Sequence, residues 1–275
     1  MTEAQTPAAN WYPDPGGKHE HRYWDGSQWT DNVADHGRQA VDPLVANHVP
    51  TTHHTAQNVQ QQVQQRAGLQ ATAAGGGTLF TEPVLVVNQK RKLIELNTEF
   101  AVFDQHGTQI GAVRQVGQSS TKKALRFVAN VDQFLTHKFQ IVDIQGNVVL
   151  ALTRPAKLLK SKVLITDGLG QPVGDVVQQN AVGKIRFALE AGGQTLGSIN
   201  AENWRAWNFA IQDHTGAEVA RITKTWEGMA TTLFTTADNF VVQIHRQLEE
   251  PLRSLVVASA LCVDVALKQD DRGFN

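Results

Sequence analysis

From Leu79 onward, apolar and polar residues alternate in short segments, which is the pattern of β-strands that bury one face. One phrase recurs in these segments: alternating apolar residues, then Asp-x-x-Gly, then apolar residues three and six positions after the glycine. A fifth, degenerate copy, Phe187 to Ile199 around Gly192-Gly193, carries one extra residue and predicts a bulge. The four regular copies contain the pairs Asp104 and Gly107, Asp143 and Gly146, Asp167 and Gly170, and Asp213 and Gly216.

Each copy predicts a β-hairpin. The aspartate side chain accepts hydrogen bonds from the turn backbone, and the glycine adopts the positive φ that the turn needs. Asp-x-x-Gly also occurs in Ca²⁺-binding loops, but the dense spacing of oxygen ligands in an EF-hand loop is missing here. A chain of many short strands must close on itself or cover its edges. The pattern therefore predicts a mainly β fold whose sheet is closed or covered.

One segment near the C-terminus is suited to cover the sheet. Residues Pro251 to Lys268 are apolar nearly all round, which predicts a buried helix. Pro251 fits a first helical turn, and Glu249 and Glu250 complement the positive end of the helix dipole. A membrane span needs about 20 apolar residues, whereas the uncharged run from Ser254 to Val263 has only ten. The pattern favours a helix in the protein core over a span.

The first part of the chain divides into an aromatic module and a polar linker. Trp11 to Asp31 holds three of the six tryptophans and both tyrosines. His36 to Gly77 lacks aromatic residues and is rich in glutamine, so it has too little apolar surface to offset its ordering entropy. We expect a module at 1–36, a disordered linker at 37–77 with a transient helix over the glutamines, and the β domain at 78–275. Such a linker would span about 35 Å.

Charge and cysteine content narrow the functional classes. The formal net charge of −1 gives no global attraction to nucleic acid or membranes. Lys90 to Lys162 contains 12 Lys/Arg and 5 Asp/Glu, whereas Val163 to Asn275 contains 9 and 13. The basic half is either a footprint for anionic head groups or a set of solvated turn lysines. The single cysteine, Cys262, excludes a disulfide framework and favours the cytoplasm, and the first ten residues show no signal-peptide pattern.

Two stretches resemble the tubby-like C-terminal superfamily, and within it the phospholipid-scramblase and LURP-one-related branch. The first runs from Val84 to Leu96 (VLVVNQKRKLIEL) and continues into Phe100 to Asp104 (FAVFD). The second is Ala237 to Ile244 (ADNFVVQI), which the apolar helix follows. The resemblance covers residues 79–267. It implies a closed antiparallel barrel of about twelve strands around the C-terminal helix.

In scramblases, an acidic segment before that helix is a proposed Ca²⁺ site, with the pattern Asp-Ala-Asp-Asn-Phe and a further aspartate nine positions after its third residue. At the matching positions this chain has Thr236 and Gln247, and it retains only Asp238, with Glu249 two residues beyond the missing acid. Since a hard cation takes six to eight oxygen ligands, we expect no tight Ca²⁺ binding and no other cofactor. The cysteine-rich palmitoylation segment of scramblases is also missing from the sequence.

The residues Trp11 to Pro15 (WYPDP), Arg22 to Gly26 (RYWDG) and Trp29-Thr30 resemble DUF2510, a short domain of unknown function at the N-termini of actinobacterial proteins. Three tryptophans within 19 residues can form a miniature sheet that turns at Asp25-Gly26. Small aromatic sheets dock proline-rich peptides, although the same aromatics can equally be the core of the module. The candidate protein-binding residues are Trp11, Tyr12, Tyr23, Trp24 and Trp29.

No catalytic constellation is evident in the sequence. Ser119 to Lys122 has the Ser-x-x-Lys spacing of serine acylases, but it lies between predicted strands in a glycine-flanked loop rather than on a helix. Phosphate-loop, nucleophile-elbow and zinc-helix motifs are missing, and His19, His21, His53 and His54 have no cysteine partners. We therefore expect a protein that is not an enzyme.

Basic residues are the best candidates for function. In related tubby domains, basic residues bind phosphoinositide head groups, and the resemblance carries this over as an idea about the surface rather than residue by residue. Trp204, Trp207 and Trp226 are either core aromatics or an interfacial rim. The candidate lipid ligands are Lys90, Arg91, Lys92, Lys122, Lys123, Arg126, Lys157, Lys160 and Lys162.

The sequence thus predicts a cytoplasmic protein that is peripheral at the inner face of the plasma membrane. Its barrel would bind anionic phospholipid head groups, and its tethered module would bind a protein or peptide, with no nucleic acid as partner. Two alternatives stay open. One is a scramblase that moves lipids between leaflets, and the other is a structural adaptor with no role at lipids.

Overall fold

The strands of the β domain close into an antiparallel barrel. The computed structural model describes residues 8–15, 19–42, 55–70, 76–89, 99–116, 136–155, 161–180, 186–203, 208–225 and 239–267. Within these residues twelve barrel strands pair with their neighbours, and the last pairs with the first to close the ring, which confirms the predicted fold class. They are β5 (Val84–Gln89), β6 (Glu99–Phe103), β7 (Gln109–Val116), β8 (His137–Asp143), β9 (Val148–Arg154), β10 (Lys162–Asp167), β11 (Pro172–Gln178), β12 (Arg186–Ala191), β13 (Gln194–Asn203), β14 (Asn208–Asp213), β15 (Glu218–Lys224) and β16 (Asn239–Ile244).

Alternate residues of these strands fill the interior of the barrel with a packed apolar core. The buried members of this core are at most 8% exposed, and most apolar positions of the repeated phrase belong to it, whereas Val149 and Val173 are only partly buried against it. Burying a side chain of this kind contributes about 1.5–3 kcal/mol relative to leaving it in water. The largest fully buried side chains include Phe100, Phe187, Phe209 and Phe240.

The Asp-x-x-Gly sequences form the predicted hairpin turns. In the first turn, Asp104 Oδ1 accepts hydrogen bonds from the backbone N–H groups of His106 and Thr108 at 2.9 and 2.8 Å, and the turn glycine has a φ of 88°. The degenerate fifth copy shifts register between Leu189 and Glu190, where the sequence predicts a bulge, and the four regular hairpins show similar shifts. The same pair of side-chain bonds recurs in the turns that begin at Asp143, Asp167 and Asp213.

The apolar C-terminal segment forms helix α2 (Leu252–Leu267), which contacts β9, β10 and β11. A Cβ built on Gly174 of β11 would lie 3.2 Å from Leu255 Cδ2, so the helix approaches this strand closely. From Leu255 to Ala258 the side chains are at most 7% exposed, which confirms the predicted buried helix for its first half. Side chains from residue 260 onward lie outside the described part. No helix in the described part of the chain is both long and apolar enough to span a bilayer.

The aromatic N-terminal module is an antiparallel sheet whose described strands are β1 (Asn10–Pro13), β2 (His21–Trp24), β3 (Trp29–Asp35) and β4 (Arg38–Val41). The turn between β2 and β3 begins at Asp25-Gly26, as predicted, and Asp25 Oδ1 accepts hydrogen bonds from two backbone N–H groups at 2.7 Å. The sheet continues past the predicted boundary at residue 36. His36-Gly37 turns the chain, and β4 pairs with β3 inside the segment assigned to the linker.

Another part of the predicted linker is an ordered helix, in the glutamine-rich segment for which the sequence predicts only a transient one. Helix α1 (Ala56–Gln61) continues into one π-helical turn (Gln62–Arg66), and the side chain of Thr55 accepts the first N-terminal cap bond, from Asn58 N at 3.2 Å. Val59 and Val63 are fully buried against the outer face of the barrel. The structure corrects the predicted disorder for residues 55–70, because the barrel supplies an apolar surface that the segment itself lacks.

Candidate functional site

The connections between barrel strands differ at the two ends of the barrel. Since neighbouring strands are antiparallel, successive connections alternate between one end and the other. The turn end carries the short hairpin turns. The opposite end, here the long-connection end, joins the strands through residues 90–98, 117–136, 155–161, 179–185, 204–207 and 225–238. Most residues of these six connections lie outside the described part, but the strand ends that flank them are placed.

The basic segments of the sequence belong to the connections at this end. The six connections contain ten Lys/Arg and four Asp/Glu, a net charge of +6, although they are far apart in the chain. Trp204, Trp207 and Trp226 also belong to these connections. Eight of the nine candidate lipid ligands lie in the connections and outside the described residues, and they stay predictions: Lys90, Arg91, Lys92, Lys122, Lys123, Arg126, Lys157 and Lys160.

The ninth candidate, Lys162, is the first residue of β10 and is described. Its Nζ lies 2.9 Å from Asp175 Oδ2 on β11, and its side chain is 46% exposed. An exposed ion pair of this kind contributes at most about 1 kcal/mol, but the carboxylate offsets much of the positive charge of Lys162. This ion pair makes Lys162 a weak candidate for a lipid ligand, and its role stays a prediction. Another described lysine near this end, Lys224 at the end of β15, has its Nζ 5.8 Å from the centroid of the Phe240 ring.

A layer of polar side chains lies beneath this end of the barrel, and sequence reasoning missed it. Val113, Phe139, Leu152 and Val176 face inward, so the residues two positions closer to the long-connection end face inward as well. Gln115 Nε2 lies 3.0 Å from His137 Nδ1, and Gln178 Oε1 accepts a bond from the N–H of Ser161 at 3.0 Å. The members of this layer are at most 5% exposed: Gln115, His137, Arg154, Ser161 and Gln178.

The turn end carries acidic groups and a pocket of about 290 Å³. The predicted weak Ca²⁺ ligand Glu249 lines this pocket, whereas Asp238 lies outside the described residues. Asp213, also in the lining, bonds its own turn and lies 2.7 Å from Arg246. The hydroxyl of Thr215 and then the neighbouring N–H groups lower the pKa of Asp213 to about 2. The described residues contain no group of three or more His, Cys, Asp or Glu side chains arranged to hold a metal ion.

The five aromatic residues proposed for protein binding are all partly exposed. Trp11 packs edge-to-face on Tyr23 with ring centroids 5.4 Å apart, and Trp29 makes similar contacts with Tyr12 and Trp24 at 6.2 and 5.4 Å. These rings form a surface rather than the centre of the module.

The centre of the module is a buried ion pair with a valine. Arg22 Nε donates to Asp14 Oδ1 at 2.7 Å, and both side chains are at most 3% exposed. Val33 is completely buried. The partly exposed aromatics are thus not the whole core of the module, and protein binding by them stays a prediction.

Comparison with known proteins separates the chain into the same two parts. The family model for Scramblase matches residues 67–267, and the model for a protein of unknown function, DUF2510, matches residues 9–42. The chain is 23% identical over 204 residues to "Altered inheritance rate of mitochondria protein 25" of Saccharomyces cerevisiae, covering 62% of this chain and 61% of that protein. A solved structure of an Arabidopsis thaliana protein aligns with a TM-score of 0.41 at 14% identity, covering 69% of this chain and 99% of that one.

The Scramblase match spans the whole barrel and helix α2, and it begins within the segment that packs on the outside of the barrel. The chain belongs to the scramblase family.

Proposed function

We propose that the protein attaches to membranes that contain anionic lipid through the long-connection end of its barrel, while the N-terminal module recruits a protein partner. The observation that carries this proposal is the topology. Three separate basic stretches, Lys90 to Lys92, Lys122 to Arg126 and Lys157 to Lys160, connect strands at the same end of the barrel. The net positive charge of the connections at this end contrasts with a chain that is nearly neutral overall.

The magnitude of this net positive charge suits reversible attachment. A basic residue near an anionic membrane surface contributes about 1 kcal/mol, so a net charge of +6 supports weak to moderate affinity that falls as salt rises. Tryptophan is enriched at membrane interfaces, where an apolar ring meets polar head groups. Three tryptophans in the same connections as the basic residues add a second contribution that salt does not screen.

Vesicle flotation tests the electrostatic part. We expect the protein to float with vesicles that contain phosphatidylserine or a phosphoinositide and to stay behind with purely zwitterionic vesicles. Lys122→Glu removes one attraction and adds one repulsion, so affinity should fall roughly tenfold or more. Arg38→Glu makes the same change in net charge on the exposed β4 of the module and should leave affinity unchanged. Equal losses for the two variants, or equal flotation with both kinds of vesicle, would contradict the proposal.

Tryptophan quenching tests the orientation. Brominated lipids should quench the fluorescence of the bound protein, and the triple variant Trp204→Phe, Trp207→Phe, Trp226→Phe should lose most of that quenching. The module tryptophans, which remain in this variant, serve as the internal control. Persistent quenching would mean that the module rather than the barrel end contacts the bilayer.

Lipid translocation is the second candidate, because the chain belongs to the scramblase family. It requires a hydrophilic path through or along the protein, whereas the described interior of the barrel is packed with apolar side chains and helix α2. A fluorescent-lipid assay in proteoliposomes decides between the two. We expect no transfer between leaflets above that of empty vesicles, and transfer that depends on the protein would favour translocation instead.

A further inference from the structure

Residues 55–70, here called the strap, belong to neither matched region over most of their length, since DUF2510 ends at residue 42 and Scramblase begins at residue 67. They nevertheless have a defined place on the barrel. At the turn end, Gln60 Nε2 donates to the carbonyl of His106 at 3.3 Å, and Ala56 lies directly against Gly107. Further along, Gln62 Nε2 donates to Thr225 Oγ1 at 2.7 Å. Thr225 opens the connection that contains Trp226, so the strap reaches from the turn end to the long-connection end.

The strap covers an apolar strip on the outer face of the barrel. Strands β5, β6 and β16 read Val-Leu-Val-Val, Phe-Ala-Val-Phe and Phe-Val-Val, so both of their faces are apolar. The inner residues belong to the barrel core. The outer residues form a separate cluster with Val59 and Val63 of the strap, and this strip consists of Val84, Val86, Ala101, Phe103 and Val241.

The strip continues into the proposed membrane-binding end. Along β5, Val84, Val86 and Asn88 share the outer face, because side chains alternate along a strand. The basic run Lys90-Arg91-Lys92 follows immediately. Across the sheet, Val86 pairs with Val241 and Phe103, and Asn88 pairs with Asn239. An uncovered strip would therefore present an apolar surface directly beside positive charge, which is the chemistry of a bilayer interface.

A small set of contacts holds the strap. Val59 and Val63 are fully buried, and Ala67 and Leu69 are partly buried against the same cluster. The α-helical part has only six residues, and isolated helices of that length are unstable in water. Asn88, which follows the strip on the outer face of β5, is completely buried, and neither of its side-chain polar atoms is hydrogen-bonded to any described group. A buried unpaired amide is unfavourable, so an opening that admits water to this end of the strip is favoured. Both observations indicate that the strap opens at much lower free energy than the barrel unfolds.

We propose that the strap is a releasable cover, and that its release exposes the strip of Val84, Val86, Ala101, Phe103 and Val241 to an anionic lipid surface. The inference rests on the proposed membrane attachment at the long-connection end. In the free protein the strap shields the strip from water. At the membrane the strip enters the interface beside Lys90, Arg91 and Lys92, and the glutamine-rich strap stays in water. Attachment and strap release then favour each other.

Thiol labelling in the full-length protein tests the proposal. With Cys262→Ala as background, Val63→Cys places a thiol under the strap and Val242→Cys places one inside the barrel, and both positions are completely buried. We expect a water-soluble maleimide to label Val63→Cys at least tenfold faster than Val242→Cys. Vesicles with anionic lipid should accelerate Val63→Cys labelling severalfold further, and zwitterionic vesicles should not. Similar rates for the two thiols without lipid would overturn the proposal.

Flotation of the same samples separates the two hypotheses. If the protein binds anionic vesicles while Val63→Cys labelling stays at its lipid-free rate or slows, strap release is refuted and membrane attachment stands. If the protein does not float, membrane attachment is refuted, and with it the lipid as occupant of the strip. A releasing variant gives an independent readout: Val59→Ser with Val63→Ser should bind anionic vesicles severalfold more tightly than the matched variant of two exposed positions, Gln61→Ser with Gln64→Ser. Equal affinities for these two variants would also refute the release.

Discussion

Substitution of three turn glycines by alanine can measure how tightly neighbouring segments pack against the turn end of the barrel. Gly107, Gly170 and Gly216 occupy the same position of the same Asp-x-x-Gly turn, with φ of 88°, 80° and 86°. Their surroundings differ. A Cβ built on Gly216 meets nothing within 4 Å, one on Gly170 lies 3.0 Å from Pro13 Cγ, and one on Gly107 lies 2.5 Å from the Cα of Ala56 in the strap. Replacement of each by alanine adds the same methyl group to the same backbone conformation.

The loss of stability that comes from the positive φ is common to all three variants, whereas the loss that comes from contacts with neighbouring atoms differs between them. A non-glycine residue at positive φ costs about 1–2 kcal/mol, which is the whole expected effect of Gly216→Ala. Gly170→Ala should lie within about 0.5 kcal/mol of it, because the exposed Pro13 ring can shift by a few tenths of an ångström. In Gly107→Ala the strap must move or detach, so its packing is lost. The two buried valines contribute about 1.5–3 kcal/mol each before the entropy of ordering the strap is subtracted. We therefore expect an additional loss of roughly 1–2 kcal/mol.

Urea unfolding followed by far-UV circular dichroism measures these differences. A second series in the background Val59→Ala, Val63→Ala completes a double-mutant cycle. With the strap already loosened, Gly107→Ala should cost no more than Gly216→Ala. The reasoning is refuted if Gly107→Ala and Gly216→Ala differ by less than about 0.5 kcal/mol in the native background. It is equally refuted if the additional loss persists when the valines are gone.

Three further predictions concern the module and the core. Both ring nitrogens of His19 lie within hydrogen-bond distance of carboxylates, Nδ1 at 2.5 Å from Asp35 and Nε2 at 2.7 Å from Asp42. The bond to Asp35, and then the bond to Asp42, raise the pKa of His19 above 6.5. The protonated ring therefore stabilises the folded module fully below about pH 6.5, and this contribution disappears as the pH rises through the raised folded-state pKa. Thermal unfolding between pH 6 and 9 should show this loss of stability, and His19→Asn should abolish the pH dependence. Arg22→Met leaves the buried carboxylate of Asp14 without its guanidinium and should destabilise the module by about 3–5 kcal/mol. Tryptophan fluorescence would report this loss, and an unchanged module transition would contradict it. Phe209→Ala should destabilise the barrel by about 3–5 kcal/mol, whereas Ile144→Ala, at a position 48% exposed, should change the free energy of unfolding by less than about 0.5 kcal/mol.

The hairpins and the covering helix could be predicted because their determinants are local. An aspartate three residues before a glycine carries its hydrogen-bond acceptor and its positive-φ residue in one short phrase, and four such phrases appear as four turns. The run after Pro251 is apolar on nearly all sides, so its burial can be predicted even when the strands that it packs against are not known. Closure into a ring is not local. It depends on β5 pairing with β16 across about 150 residues of chain, and only the resemblance to a known family indicated it.

The strap escaped prediction because its signal is divided between two distant segments. Val59 and Val63, four residues apart, mark one side of a helix, but two valines among glutamines do not distinguish a packed helix from a polar tether. The complementary signal lies in the barrel. Uninterrupted apolar runs such as Val84 to Val87 and Phe100 to Phe103 indicate strands that are covered on both faces. These runs predict that a segment covers the outer face, but they do not show which segment it is. The packed helix can be predicted only when the valine pair of the strap and the apolar runs of the barrel strands are considered together.

The candidate basic residues could be named from the sequence, but not the end of the barrel to which their connections belong. Lys90 to Lys92, Arg126 and Lys157 lie far apart in the chain. The alternation of connections along an antiparallel barrel assigns the connections that contain them to the same end. The polar layer of Gln115, His137 and their neighbours has a weak signal of its own, since the inward period of β7 to β11 continues one step beyond the apolar residues with a polar one.

The repeated hairpin phrase also explains why the two ends of the barrel can serve different purposes. Each turn aspartate bonds two backbone N–H groups of its own turn, so an insertion or an added charge within the turn would break bonds on which the strand register depends. The long connections differ widely in length, from four residues at 204–207 to twenty at 117–136. Length, charge and aromatic content can therefore change there at little cost to the barrel. A surface that binds a partner by charge is expected at that end, because only there can its composition vary while the register of all twelve described strands is kept.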